Sequence, residues 1–220
     1  MNLAQLIDHT HLKAQATEKD IFKLCKEAKE YNFYSVCVNP RWLKYCVNEL
    51  KYSQSLPITV VGFPLGANDL SIKNKECDWC LENGAKEIDV VIDVSLALAG
   101  EWKKLEDEIK SFSKMCDRIP LKVIIETAYL NSSQIVEASK ACLFGGARFV
   151  KTSTGFAPTG AKEEDIKLIR ESVGPSMGIK ASGGIKNLAD AERMLNAGAT
   201  RLGASASVEI VEEWKKNQSI

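Results

Sequence analysis

Two lysines each end an apolar run, and small hydroxyl-bearing residues and glycine follow both. Lys151 stands before Thr152-Ser153-Thr154-Gly155, and Lys180 stands 29 residues later before Ala181-Ser182-Gly183-Gly184. Such a run is typical of a buried strand, where burial disfavours the charged form of lysine. One alternative is that both side chains snorkel to the surface from the strand ends. Their paired recurrence, with a glycine-rich loop after each, favours catalysis.

A neutral lysine amine attacks carbonyl carbon, and the protonated imine that forms accepts electrons. On consecutive strands the two lysines would stand about 4.8 Å apart. A second ammonium group and partial burial would then lower the pKa of the reactive amine. The carboxylate of Asp89, on another strand end, is expected to transfer protons in the same pocket. The alternative for Asp89 is a structural ion pair with a lysine.

Two glycine loops predict an anion site beside the lysines. Gly183-Gly184 and Gly203-Ala204-Ser205 follow the last two predicted strands, and each precedes a helix. Backbone N–H groups at helix N-termini bind anions, and barrel enzymes frequently hold phosphate at their last two loops. The predicted phosphate-binding residues are Gly155, Gly183, Gly184, Lys186, Gly203 and Ser205.

The elements that must position these residues alternate between strand and helix patterns. Apolar segments lie around Ile7, Phe33, Ile58, Ile88, Val123, Phe149, Ile179 and Leu202, and helical patterns separate nearly all of them. Alternating βα units imply a parallel sheet. Eight units in 220 residues predict an α/β fold, a (β/α)8 TIM barrel forming a single domain over residues 1–220. An open, doubly wound sheet is the alternative.

A repeated helix-to-strand unit supports one register for these strands. Gly84, Gly146 and Gly198 each follow a helical pattern, as expected for a helix-ending glycine with positive φ. Five residues past each glycine the chain reaches a position of predicted equal depth, and these positions are Asp89, Lys151 and Gly203.

Composition excludes several function classes. The 29 basic and 29 acidic residues leave no electrostatic footprint for nucleic acid. No apolar run approaches the roughly 18 residues of a membrane span, and the N-terminus has no signal-peptide pattern. Seven cysteines without framework spacing indicate reduced thiols and a cytoplasmic location.

Two short motifs have a structural interpretation. Cys77 and Cys80 have redox or zinc spacing, but their helical pattern favours core-facing side chains. Residues 155–162 miss the P-loop pattern because Ala161 separates glycine from lysine.

The chain resembles the class I, Schiff-base family of deoxyribose-phosphate aldolases. The matching segments are IDHT at 7–10, SVCVNP at 35–40, VGFPLG at 61–66, GAKEID at 84–89, KVIIET at 122–127, VKTSTGF at 150–156, KASGGI at 180–185 and GAS at 203–205. They occur in the family's order and span nearly the whole chain. Some members end in a tail with a terminal tyrosine, whereas the last tyrosine here is Tyr129.

The resemblance implies a (β/α)8 barrel without metal or organic cofactor that reversibly cleaves 2-deoxy-D-ribose 5-phosphate to D-glyceraldehyde 3-phosphate and acetaldehyde. It assigns the Schiff base to Lys151 and proton transfer to Lys180 and Asp89. The residues predicted to support the pocket are Asp8, Thr10, Cys37, Asn39, Glu126 and Thr152. The partner is a phosphosugar substrate, with neither nucleic acid nor membrane, and a homodimer is allowed for. Two alternatives are another Schiff-base phosphosugar aldolase or transaldolase-like barrel, and a non-catalytic sugar-phosphate-binding barrel.

Overall fold

Eight parallel strands close into a barrel in the computed structural model, which describes residues 2–218. The strands are β1 Ile7–His11, β2 Ser35–Val38, β3 Leu56–Val61, β4 Ile88–Val91, β5 Leu121–Ile124, β6 Phe149–Lys151, β7 Gly178–Ser182 and β8 Arg201–Ala204. Each strand pairs with the next along the chain, and β8 pairs with β1 through Asp8 and Gly203. The predicted (β/α)8 barrel is confirmed, and the open-sheet alternative is wrong because no sheet edge remains.

Helices surround the barrel. They are α1 Glu18–Tyr31, α2 Leu43–Glu49, α3 Leu70–Glu82, α4 Val94–Ala99, α5 Trp102–Cys116, α6 Ser132–Phe144, α7 Glu163–Val173, α8 Leu188–Asn196 and α9 Ser207–Gln218. The sequence patterns placed no helix between β4 and β5, where the structure has α4 and α5. The signal for α5 was present, because Leu105, Ile109, Phe112 and Cys116 recur at helical spacing and are buried.

Three helices end in the same glycine turn, as the repeat predicts. Gly84, Gly146 and Gly198 have φ values of 93°, 83° and 116°, a left-handed conformation that favours glycine. The residue after each glycine donates its N–H to the helix carbonyl five residues earlier, at 3.0–3.1 Å: Ala85 to Cys80, Ala147 to Cys142 and Ala199 to Met194. These turns lead into β4, β6 and β8, which begin three or four residues after the glycine.

The core lies between the strands and the helix ring. Cys77 and Cys80 on α3 are fully buried in it, and all seven cysteines are buried free thiols. The core-facing interpretation of this pair is therefore confirmed. No helix within residues 2–218 has both the length and the apolar character that crossing a membrane requires.

A buried ion pair outside the barrel ties the helix ring to two loops. The Lys73 ammonium group on α3 lies 2.7 Å from a Glu108 carboxylate oxygen on α5. It also donates to the carbonyl oxygens of Gly66 and Val91, at 3.3 and 3.2 Å. Since Gly66 follows β3 and Val91 ends β4, this lysine holds the loops after both strands.

Breaking this pair is expected to destabilise the fold. Glu108→Leu leaves the buried Lys73 ammonium without its carboxylate, so the free energy of unfolding should fall by about 3–5 kcal/mol in urea denaturation. The double variant Lys73→Met/Glu108→Leu removes both charges and should recover most of that loss. Equal stability of the single and double variants would contradict this account.

Candidate active site

A cavity of about 200 Å³ opens at the carboxyl ends of the strands. The loops after β1, β6, β7 and β8 form its walls, and Lys151 lies in its lining. Of the residues predicted from the sequence, those that line it are Thr10, Lys151, Gly155, Gly183, Gly184, Gly203 and Ser205. The barrel therefore brings the predicted catalytic residue Lys151 and most of the predicted anion site to one cavity.

Lys151 and Lys180 lie directly opposite each other on β6 and β7. Both are buried, with 2% and 1% of their surface exposed. The Lys151 Nζ atom lies 2.8 Å from Asp89 Oδ2, and the Lys180 Nζ atom lies 2.7 Å from the same oxygen. Lys180 also lies 2.5 Å from Asp8 Oδ2. One carboxylate oxygen thus bridges the two amines, and the ion pair weighed as the alternative for Asp89 is present.

The environments of the two lysines shift their pKa values in opposite directions. Burial and the charge of Lys180 lower the pKa of Lys151, and Asp89 only partly opposes them. Burial alone would also lower the pKa of Lys180, but Asp8 and Asp89 raise it above its ordinary value. Opposite shifts of neighbouring groups favour proton loss from Lys151 and retention of the proton by Lys180.

Asp89 remains ionised between these amines. Burial favours its protonated form, yet Lys122, Lys151 and Lys180 together hold its pKa well below the ordinary value. A carboxylate of this kind orients amines and stabilises positive charge, and it accepts a proton only transiently.

The sequence interpretation missed three charged members of this group. Lys122 on β5 lies 2.8 Å from Asp89 Oδ1 and 2.5 Å from Glu87 Oε2. Arg201, at the start of β8, lies 2.9 Å from Asp8 Oδ1 and 3.3 Å from Glu87 Oε2. The signal for Lys122 was a lysine inside an apolar strand, the same signal that identified Lys151. We call the connected set the barrel cluster; its members are Asp8, Glu87, Asp89, Lys122, Lys151, Lys180 and Arg201.

The loops after β7 and β8 offer backbone donors to the cavity. Gly183 and Gly184 have successive φ values of 82° and 80°. Within the described chain, the N–H groups of Gly183, Gly184 and Ser205 donate to no other atom. Free N–H groups on glycine loops are suited to an anion. Lys13, which the sequence interpretation did not select, also lines this cavity.

Lys186 does not line the cavity, contrary to its predicted place in the phosphate site. The residue is exposed, and its backbone N–H donates to the Asp190 carboxylate at 3.0 Å. The reason is local: Asp190 lies in the first turn of α8 and takes up the donor at this helix start.

Of the residues predicted to support the pocket, Asp8 belongs to the barrel cluster, and Thr10 and Cys37 lie close to it. The Thr10 hydroxyl group donates to the Asp8 carbonyl oxygen at 2.7 Å, which places Thr10 at the cavity wall. Burial raises the pKa of Cys37 to about 11, so its thiol stays protonated. Gly203 is required beside Lys180, because a Cβ atom there would lie 2.9 Å from Lys180 Cε.

The other three predicted support residues brace loops and do not line the cavity. The Asn39 amide donates to the Leu12 carbonyl oxygen at 3.1 Å. Glu126 accepts the Thr154 N–H at 3.2 Å and also its hydroxyl group. The Thr152 hydroxyl group accepts the Ser182 N–H at 3.2 Å and so joins the ends of β6 and β7. These hydrogen bonds occupy their side chains and fix the loops that form the cavity walls.

A closed (β/α)8 barrel with its reactive groups at the carboxyl ends of the strands defines the class of barrel enzymes. Within residues 2–218, no group of three or more His, Cys, Asp or Glu side chains is arranged to hold a metal ion.

Comparison with known proteins identifies the family within this class. The model of the DeoC/LacD family of aldolases matches residues 2–210, so the chain belongs to that family. It is 47% identical to a deoxyribose-phosphate aldolase of Thermoanaerobacter sp. strain X514, over 98% of each chain. It is also 47% identical to the enzyme of Lactococcus lactis subsp. cremoris, over 100% of both.

A solved structure shows the same fold. The tetrameric deoxyribose phosphate aldolase of Aeropyrum pernix superposes with a TM-score of 0.91 at 32% identity, over 98% of this chain and 92% of that one. The resemblance identified from the sequence motifs is thereby confirmed.

Proposed function

We propose that this chain is a class I aldolase that reversibly cleaves 2-deoxy-D-ribose 5-phosphate to D-glyceraldehyde 3-phosphate and acetaldehyde. The observation that carries the proposal is the opposite pKa shift of two buried lysines on one carboxylate, beneath a cavity with free backbone donors. The names of the relatives support the substrate. A non-catalytic sugar-phosphate-binding barrel would have no use for this lysine pair.

Lys151 forms the covalent intermediate. Its neutral amine adds to C1 of the open-chain aldehyde, and loss of water gives an imine. After protonation of the imine nitrogen, the C3 hydroxyl group loses its proton and the C2–C3 bond breaks. The electron pair of that bond passes to the iminium nitrogen as the enamine forms, and glyceraldehyde 3-phosphate leaves. Protonation at C2 and hydrolysis then release acetaldehyde and the free amine.

Lys180 and Asp89 move the protons in this scheme. Both amines contact Asp89 Oδ2, so a proton can pass between them without crossing solvent. The ammonium group of Lys180 supplies a proton when water leaves to form the imine, and again when C2 of the enamine is protonated. Asp89 stabilises the iminium ion. The reaction then needs neither metal nor organic cofactor.

A direct assay tests this function. Purified protein with deoxyribose 5-phosphate should release acetaldehyde, detected with a coupled dehydrogenase, at the same rate with and without EDTA. Loss of activity in EDTA would contradict the cofactor-free scheme. Release of no aldehyde, together with transfer of a three-carbon ketose unit between sugar phosphates, would favour the transaldolase-like alternative.

We place the substrate phosphate on Gly155, Gly183, Gly184, Gly203 and Ser205, near Lys13. Gly184 lines this cavity at a φ of 80°, and Gly184→Leu adds a bulky side chain to that wall. The variant should raise the KM for deoxyribose 5-phosphate about 10- to 100-fold, because the phosphate loses hydrogen bonds from the loop and such bonds to a charged group contribute about that factor to binding. The KM for unphosphorylated deoxyribose should change little.

Gly174→Leu is the matched control for this substitution. Gly174 also has a positive φ, 71°, and open space around its Cβ position, but it ends α7 and does not line the cavity. Both variants therefore place a leucine at a positive φ with open space around its Cβ atom. Equal losses on both substrates in Gly184→Leu, or the same KM change in Gly174→Leu, would argue against a phosphate site here.

A cytoplasmic location and a homodimer complete the proposal. The seven buried free thiols support a reducing compartment. Light scattering of the purified chain tests the dimer, and a mass of four chains would match the Aeropyrum pernix relative instead.

A further inference from the structure

The barrel cluster reaches from the cavity floor to the opposite end of the barrel, and its cations differ in how many carboxylates they contact. Lys122 contacts Glu87 and Asp89, Lys180 contacts Asp8 and Asp89, and Arg201 contacts Asp8 and Glu87, all within 3.3 Å. In the described part of the chain, Lys151 contacts only Asp89, through an oxygen that it shares with Lys180.

We propose that Lys122, together with Arg201 and Glu87, is a positioning group that sets the charge balance of the barrel interior and leaves Lys151 as the one neutral amine. The three carboxylates face three cations, Lys122, Lys180 and Arg201, and each cation contacts two of the carboxylates within 3.3 Å. Lys151 is the fourth basic group, and among the described residues its only salt-bridge partner is the shared Asp89. Glu126 also acts on Lys151, but it is bonded to the Thr154 N–H and hydroxyl groups and burial raises its pKa, so it stays outside this count. This inference rests on the proposed role of Lys151 as the imine-forming residue.

The physical reason is the cost of net charge in a buried, low-dielectric site. With Lys151 neutral, the three carboxylates and three cations cancel; with Lys151 protonated, the cluster carries an excess positive charge. Removing the Lys122 charge reverses this balance, since Lys151 then becomes the third cation. It also frees Asp89 Oδ1, so more of that carboxylate's charge acts on Lys151.

The directions of the pKa shifts within the cluster agree with this assignment. Burial alone would lower the pKa values of Lys122 and Arg201, but the carboxylates around them raise both above their ordinary values. Only Lys151 shifts downward among the four basic groups.

Two titratable neighbours of the barrel cluster, Cys37 and Tyr34, are neutral and do not change its balance of charges. Cys37 faces Lys151 from β2, and its raised pKa keeps it protonated. Tyr34, just before β2, donates to Glu87 Oε1 at 3.0 Å and packs its ring 3.5 Å from the Arg201 guanidinium carbon. Burial raises the pKa of Tyr34, so it also stays neutral.

The test is the pH dependence of imine formation on Lys151, measured with acetaldehyde and borohydride trapping in the full-length protein. In Lys122→Met the profile should move to higher pH by about one unit or more, which is about a tenfold slower reaction at neutral pH. The loss should disappear in alkaline buffer. The double variant Glu87→Gln/Lys122→Met has two carboxylates against two cations, and its profile should return to the wild-type position.

Restoration by a second substitution separates charge from structural damage, since a merely structural role predicts that damage accumulates in the double variant. An unmoved profile in Lys122→Met, or an identical shift in single and double variants, would overturn the proposal. If Lys122→Met does not fold, Arg201→Met removes a cation at the far end of the cluster and must shift the profile in the same direction.

A second readout keeps this proposal distinct from the proposed function. The pH dependence of Lys151 modification by formaldehyde and cyanoborohydride, followed by peptide mass spectrometry, reports the neutral amine without any aldol chemistry. Failure of wild-type protein to form an acetaldehyde adduct would refute the proposed function. The labelling profiles of wild type and Lys122→Met would still test the charge balance.

Discussion

Lys151→Ala should abolish both turnover of deoxyribose 5-phosphate and the covalent adduct with acetaldehyde. An aldolase must stabilise a carbanion next to a carbonyl carbon, and the protonated imine is the only electron acceptor in the proposed scheme. Loss of the nucleophile should reduce kcat by at least about 10⁴-fold. Borohydride reduction in the presence of acetaldehyde should leave one N-ethyl group per wild-type chain, and peptide mass mapping should place it on Lys151.

Lys186→Ala provides the control for this experiment. Lys186 is an exposed lysine beside the cavity loops, so its removal should leave the adduct and its position unchanged. An adduct found chiefly on Lys180, or turnover that survives in Lys151→Ala, would show that the wrong lysine has been assigned.

Lys180→Leu should slow imine formation on Lys151 by about 100-fold at neutral pH, because the pKa of Lys151 rises and a smaller fraction of the amine is neutral. The sign follows from the contacts of Lys180. Its ammonium group repels a charge on Lys151 and partly neutralises Asp8 and Asp89. Without it, both carboxylates favour a protonated Lys151, so imine formation should recover as the pH rises. Recovery of full turnover should be incomplete, since Lys180 also transfers protons.

Lys180→Arg separates these two roles. Guanidinium keeps the positive charge between the carboxylates but does not release a proton. The pH profile of imine formation should therefore stay near that of the wild type, while turnover remains low. A profile that is unchanged in Lys180→Leu would refute the electrostatic role of this lysine.

Much of the fold could be predicted because its signals are local. Glycine at the helix ends has positive φ, and the spacing from Gly84 and Gly146 carries Asp89 and Lys151 into the strands that follow. Parallel pairing then brings the two side chains into one barrel interior, where they lie 2.8 Å apart. The barrel, the family and the proximity of the two candidate lysines follow from such patterns and from the motifs.

The fate of individual polar residues was less predictable, because it depends on neighbours that are distant in sequence. Asn39 and Glu126 follow strands, as Asp89 and Lys151 do in pattern, yet their side chains turn to Leu12 and Thr154 and brace loops. Nothing in a local pattern distinguishes a strand-end side chain that enters the cavity from one that closes a loop.

Only the tertiary structure decided which lysine has a lowered pKa. Lys122, Lys151 and Lys180 all lie in apolar strands, and their sequence neighbourhoods do not rank their pKa values. The ranking depends on the number of carboxylates each amine contacts, and those contacts join residues up to 193 positions apart, as between Asp8 and Arg201. Electrostatic energy in a buried site is set by distance in space and by total charge, and both quantities exist only once the barrel has closed.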